Sequence, residues 1–255
     1  MATALITGGT AGIGAAFARA LAARGDDLVL VARNADRLSE MATELKERYA
    51  VNVETVVADL AIRADVAGIA ERLTSFEQPI DMLINNAGFG VRAKLTDADT
   101  TRHEQAIEVM IRAVLMLGAA AGRTMRQRGS GTIINVSSTA GFVAMGSYSA
   151  IKAWVTTYTE SLANELHGSG VRVTALCPGY VRTEFHERAG INMGSLPELM
   201  WLDADRLVAD CLNDAAAGKV VSIPSKRYKA MITICEHLPH RAVRAISRRL
   251  TSGRH

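Results

Sequence analysis

Cysteine is scarce in this chain of 255 residues: Cys177, Cys211 and Cys235 are odd in number and far apart. That spacing excludes a disulfide framework and a zinc pattern and fits a reducing cytoplasm. The six histidines form no metal pattern, since the closest pair, His237 and His240, has Pro239 between them; no metal is expected. The N-terminal MATALITGG lacks the basic start and apolar run of a signal peptide and is better used as a buried strand. The longest uncharged apolar stretch, AVLMLGAAAG at 113–122, is half of the ~20 residues a spanning helix needs, so a soluble chain is expected. Linkers, low-complexity tracts and short repeats are also missing, which leaves one domain as the default. Acid is missing from the end of the chain: residues 219–255 hold nine Lys or Arg against Glu236 alone. That tail is therefore +8 and the preceding 218 residues −5. It suits a solvated helix face first and an anionic membrane surface second.

What the chain does have is alternation. Short apolar, β-branched runs (TALIT, LVLVA, VETVVA, MLINN, TIINVS, RVTALCP) alternate with helical stretches at 13–24, 35–49, 65–76 and about 103–127, and with the helix carrying Tyr148. This predicts an α/β fold, a doubly wound parallel sheet with helices on both faces. After Pro178 the rhythm weakens. Residues 180–203 mix glycines, a proline and large apolar groups (Phe185, Met193, Leu196, Leu199, Met200, Trp201), as a lid over a pocket would. A helix near 204–217, a strand VVSIP and a basic amphipathic segment complete the chain. The division expected is a dinucleotide-binding and catalytic unit over 1–223 and a basic helical extension over 224–255.

The stretch LITGGTAGIG runs from a strand through Gly8, Gly12 and Gly14 into a helix. Glycine lets the backbone turn and approach a pyrophosphate, and the free N–H groups of the helix favour that anion. At the end of the second strand, LVLVARNADRL puts Ala32 where an NAD-preferring fold places a carboxylate, followed by Arg33 and, one turn on, Arg37. A guanidinium fork suits a 2′-phosphate, so NADP(H) is the expected cofactor, with Thr10 adding a hydroxyl.

The ordered set TGGTAGIG (7–14), AD (58–59), NNAG (85–88), NVSS (135–138), Tyr148-x-x-x-Lys152 and CPGYVRT (177–183) resembles the short-chain dehydrogenase/reductase family over about residues 3–223. The resemblance implies a Rossmann-like fold and assigns roles. Gly8, Gly12, Ile13 and Gly14 would cradle the cofactor; Asp59 and Leu60 would meet the adenine; Asn86, Ala87 and Gly88 would wall the adenosine side. Ser138 would hold the substrate oxygen, Tyr148 would be the acid/base and Lys152 would bind the nicotinamide ribose. Pro178, Gly179, Val181 and Thr183 would hold the carboxamide.

Carbonyl reduction needs those residue types: negative charge grows on the oxygen as hydride arrives, so one group must supply a proton and another must steady the charge. On a helix, Tyr148 and Lys152 share a face, and the expectation is that the lysine cation lowers the phenol from its usual ~10. Two departures stand out. The family usually has an asparagine holding a relay water in a stretch resembling VNVxAV; here it reads VMIRAV, with Met110 at that position. A thioether cannot replace an amide in a water chain. Ser138 and Tyr148 are also only ten residues apart, about three fewer than in many members, which a shortened loop can absorb; Ser137 is the fallback.

The function expected is interconversion of a carbonyl and an alcohol on an apolar molecule, with Phe142, Val143 and Met145 near the serine. The rival is a dinucleotide-binding sensor or scaffold with reduced catalysis, motivated by Met110. Expected partners are a second copy of the chain, as homodimer or homotetramer, with GAAAG (118–122) allowing close helix approach. Peripheral membrane contact would use Arg241, Arg244, Arg248 and Arg249. Nucleic acid is not expected, because the tail lacks interleaved aromatics.

Overall fold

The computed structural model describes residues 2–185 and 197–251. Seven parallel strands form the main sheet: β1 (Thr3–Thr7), β2 (Asp27–Ala32), β3 (Val53–Val57), β4 (Met82–Asn85), β5 (Gly131–Val136), β6 (Val171–Leu176) and β9 (Val221–Ser222), in the order β3-β2-β1-β4-β5-β6-β9. The continuous apolar runs follow from burial on both faces. Along each strand alternate residues serve opposite cores: Ile6, Leu30, Ile84 and Ile134 face one, Leu5, Val29, Leu83 and Ile133 the other.

The first core is closed by α1 (Gly12–Ala22), α2 (Ala35–Tyr49) and α7 (Ala204–Ala216). Helix α2 shows why: Leu38, Met41, Ala42 and Leu45 recur at helical spacing and are buried, and Asn34 caps the start by accepting from Arg37 N at 2.8 Å. The second core is closed by α3 (Arg63–Leu73), α5 (Ala113–Arg128) and α6 (Ser147–Glu165). Helix α4 (Thr101–Ile107) runs through a π turn, Glu108–Arg112, into α5. The run Thr101–Arg128 is apolar and long enough by composition to cross a bilayer, but half of its most apolar window is buried against the second core.

The GAAAG stretch is used within the chain. A Cβ on Gly118 would stand 2.5 Å from the Tyr158 hydroxyl, and one on Gly122 3.3 Å from Leu166. The small residues therefore let α6 approach α5.

The largest departures from the sequence pattern lie after β6. The ends of the 180–203 stretch pair as a two-stranded ribbon, β7 (Tyr180–Val181) with β8 (Trp201–Leu202). Met193 and Leu196 of that stretch fall outside the described residues. The single basic segment resolves into two helices, α8 (Lys226–His237) and α9 (His240–Thr251), broken at Leu238 and Pro239, because proline has no N–H to continue a helix. Helix α8 is docked through Tyr228 and Ile232, both 3% exposed.

Candidate active site

Strand order reverses between β1 and β4, so a crevice opens at their C-terminal ends, where doubly wound sheets hold ligands. The glycine loop lies there. Gly8 and Gly12 have positive φ (67° and 52°), and a Cβ on Gly14 would sit 2.2 Å from Gly8 O. Only glycine fits that third position. Ala11 caps α1 without a side-chain hydrogen bond, and the first turn contains no acid. The α1 amides and the positive end of the helix dipole are thus left for an anion. Ile13 packs on the first core, and Thr10 lies in the turn, partly exposed.

Asn86 holds this loop: its Nδ2 donates to Thr7 O (2.9 Å) and Gly8 O (3.2 Å), while Thr7 Oγ1 accepts from Asn86 N (3.0 Å) and Ala87 N (3.1 Å). The Asn86 side chain thus fixes the glycine loop. Thr7, the first residue of the TGGTAGIG motif, is 1% exposed and acts as the acceptor that joins the two strands. Its position, facing NNAG across neighbouring parallel strands, was the available signal for that role.

On the adenosine side, Arg33 is 77% exposed and lies 4.0 Å from Asp59. Asp59 Oδ1 accepts from Ala61 N, and the Leu60 side chain is buried in the second core. Arg37 does not join Arg33: it makes a bidentate pair with Glu184 at 3.0 and 3.2 Å. The guanidinium and the carboxylate there satisfy each other.

The Ser138 hydroxyl neighbours the Tyr148 phenol, and Ser138 Oγ accepts from Ala140 N at 3.1 Å. The short 139–146 loop has therefore not displaced the serine. Ser137 points the other way: it is buried, donates to Lys152 O and bonds Thr156 Oγ1, each at 2.7 Å. Lys152, 4% exposed, donates from Nζ to Val136 O at 2.8 Å and lies 5.6 Å from the Tyr148 ring centre.

The charges behave differently from expectation. Burial pushes the Tyr148 phenol up to about 12, and the neighbouring Ser138 hydroxyl offsets only part of this. Burial also pulls the Lys152 ammonium down to about 8, partly countered by the neighbouring Cys177 thiol. The lowering of the phenol expected from the lysine is not seen: burial dominates at Tyr148, and the Lys152 ammonium is directed at the Val136 carbonyl.

Met110 sits in the π turn, 1% exposed. A Cβ on Gly88 would lie 3.0 Å from Met110 Sδ and 3.8 Å from Lys152 Nζ, so thioether and ammonium share one small space. The extra residue of a π turn turns that side chain inward. Met110 packs with Ala106 and Ile151, and Phe89, Val91 and Tyr148 border this apolar cluster.

Two residues that sequence reasoning missed fix the site's edges. His103 Nδ1 meets Ser147 Oγ at 2.5 Å and Nε2 meets Lys94 O at 3.1 Å, tying α4 and the 94 loop to the residue before Tyr148. Only the contact between α4 and α6 brings these sites together. Tyr228 lies over Gly179, whose Cβ would be 2.1 Å from its ring; its hydroxyl accepts from Tyr180 N and donates to Met200 O. The rest of the CPGYVRT motif reaches the crevice. Pro178 O accepts from Thr139, Val181 is buried, and the Thr183 side chain would lie 3.2 Å from a Cβ on Gly12. Phe185 places its ring 6.0 Å from that of Tyr148.

Comparison with known proteins accords with this geometry. Residues 2–193 match the short chain dehydrogenase family. The chain is 35% identical over 236 residues to galactitol 2-dehydrogenase (L-tagatose-forming) of Cereibacter sphaeroides, covering 89% of this chain and 90% of that one. Its fold is similar to that of a short-chain dehydrogenase from Sphingobium yanoikuyae in complex with NADPH, with TM-score 0.84, 37% identity and coverage of 92% and 94%. It is also similar to a bulky-bulky ketone specific alcohol dehydrogenase from Comamonas testosteroni, with TM-score 0.79, 31% identity and coverage of 94% and 95%. With its glycine loop, parallel sheet and serine, tyrosine and lysine in one crevice, the chain belongs to the short-chain dehydrogenase family, and it is an oxidoreductase by kinship.

Proposed function

We propose that the chain is an NADP(H)-dependent oxidoreductase that interconverts a carbonyl and a secondary alcohol on an apolar small molecule. The observation that carries this reading is the placement of buried Lys152 5.6 Å from the Tyr148 ring, with the Ser138 hydroxyl beside the phenol. NADPH would supply hydride when bound. Tyr148, holding its proton at neutral pH, would give it to the carbonyl oxygen, while Ser138 would donate a hydrogen bond to the same oxygen. The Lys152 cation would hold the cofactor ribose and favour return of the proton to Tyr148. Gly8, Gly12, Ile13 and Gly14 fit a pyrophosphate at the uncapped start of α1. Asp59, Leu60, Asn86, Ala87 and Gly88 line the adenosine side, and Pro178, Gly179, Val181 and Thr183 the carboxamide side.

For NADP(H) over NAD(H), the support is exposed Arg33 after Ala32, with Thr10 in the adjacent turn, and a relative whose structure holds NADPH. Apolar substrate preference rests on Phe89, Val91 and Met110 bordering Tyr148, and on Phe185 beside it. A second copy of this chain is the partner we place on exposed Ile107 and Leu115, each 45% exposed, beside the stacked Trp154 and Tyr158. The test is reduction of a panel of aldehydes, ketones and quinones with NADPH and NADH. We expect NADPH to be preferred and Arg33→Ala to raise the KM for NADPH while sparing NADH; no turnover with any compound would reject the proposal.

Met110 favours a second reading, a dinucleotide-binding protein with little turnover, because the space beside Lys152 Nζ is filled by a thioether rather than an amide. NADPH binding without hydride transfer, not rescued by Met110→Asn, would select that reading. Rapid turnover by the unaltered chain would remove it.

A further inference from the structure

We propose that helices α8 and α9 form a docking surface for a bilayer of anionic phospholipid, and that this surface is coupled to the loop beside Ser138. Arg241, Arg244 and Arg248 recur at the i, i+3, i+7 spacing of one helix stripe, and all three are exposed. None has an acidic partner among the described residues. Next to the stripe, α9 is fixed inward. Ser247, 2% exposed, donates from Oγ to Val243 O at 2.8 Å and accepts from Ala144 N at 3.0 Å. The exposed arginine stripe thus lies on a flank of α9 about a quarter-turn from buried Ser247, on a helix tied to the 139–146 loop.

Helix α8 adds what a merely solvated basic face would lack. Tyr228 and Ile232 point inward, whereas Arg227, Met231 and Ile234 recur along the outer side, with Met231 41% and Ile234 61% exposed. Leu199, 67% exposed, is joined to them because its carbonyl accepts from Arg227. Large exposed apolar side chains among cations match the boundary between headgroups and acyl chains, where both find partners. A phosphodiester backbone would satisfy the arginines and leave Ile234 and Met231 in water. Charge on the whole molecule orients the encounter: the tail is +8 and the rest −5, so an anionic surface attracts one end and repels the other. The Ser247–Ala144 link then holds the loop beside the reacting groups close to the lipid, where apolar substrates partition.

The test is flotation of the full chain with vesicles of phosphatidylcholine alone and of phosphatidylcholine with phosphatidylserine, at low and high salt, without cofactor or substrate. Its outcome is thus independent of the oxidoreductase reading. We expect binding only to the anionic vesicles, falling with salt, and reduced roughly fivefold for each stripe arginine changed to Gln. Met231→Ser with Ile234→Ser should weaken binding further and make the remainder more salt-sensitive. No binding of the unaltered chain to anionic vesicles would overturn the proposal. So would equal binding to both vesicle types, or binding to duplex DNA at least as tight that the apolar changes do not touch. The salt titration of the unaltered chain decides the matter even if a variant fails to fold.

Discussion

At the scale of single residues, burial sets the chemistry of the tyrosine and lysine pair. The phenol, pushed up to about 12, stays protonated through the physiological range, while Lys152 titrates near 8. As pH rises through about 8, the lysine loses its charge and the tyrosine keeps its proton. Reduction rates should therefore be flat below that value and decline above it. Stability should move the other way. Between about 8 and the ordinary 10.5 of a lysine the unfolded chain binds more protons than the native one, so the contribution of Lys152 to stability rises with pH there. Rates falling while the melting temperature rises, by comparison with Lys152→Met, would bear this out; rates unchanged to pH 10 would contradict it. Gly14 makes a second residue-scale case. With a Cβ 2.2 Å from Gly8 O and 2.4 Å from Asn86 Nδ2, Gly14→Ala must displace the loop. Loss of NADPH binding in a fluorescence titration is expected.

At the scale of elements, side-chain links between helices place what the sheet only brings near. The start of α6 has Gly146 as its cap residue and no side-chain cap, so the His103–Ser147 hydrogen bond is what ties that end to α4. Ser147→Ala should cost about 1 kcal/mol in chemical denaturation and lower kcat more than it changes the KM for NADPH; an unchanged kcat would dismiss a positioning role. Tyr228 has a similar place between α8 and the CPGYVRT motif. Tyr228→Ala removes a buried ring lying on Gly179 and should destabilise by about 3–5 kcal/mol, as for other large aromatic truncations, whereas Tyr228→Phe should cost roughly 1 kcal/mol for two lost hydrogen bonds partly replaced by water. Equal effects of the two changes would mean that the ring does not bear on stability.

At the scale of the whole molecule, the sheet was legible because each parallel strand is a short apolar run between helices of clear periodicity: the TALIT run is β1 and residues 35–49 are α2, at the expected bounds. The serine, tyrosine and lysine were legible because their spacing is local and their strand and helix neighbours are regular. What escaped depends on contacts between segments distant in sequence. The π turn that brings Met110 against Gly88 has no composition signal, and the β7–β8 ribbon joins residues 21 apart through two short pairings. The direction of the Lys152 ammonium escaped too, since spacing alone put it beside the phenol and gave no weight to the Val136 carbonyl.

In the proposed reaction Tyr148 delivers the proton to a carbonyl as hydride leaves NADPH. It is tested most directly by single-turnover NADPH oxidation, followed by absorbance, with a ketone reduced by the unaltered chain, compared against Tyr148→Phe. The phenylalanine variant should bind NADPH with unchanged affinity and reduce the ketone about 10²–10⁴-fold more slowly. A variant that turned over as fast as the unaltered chain would contradict it.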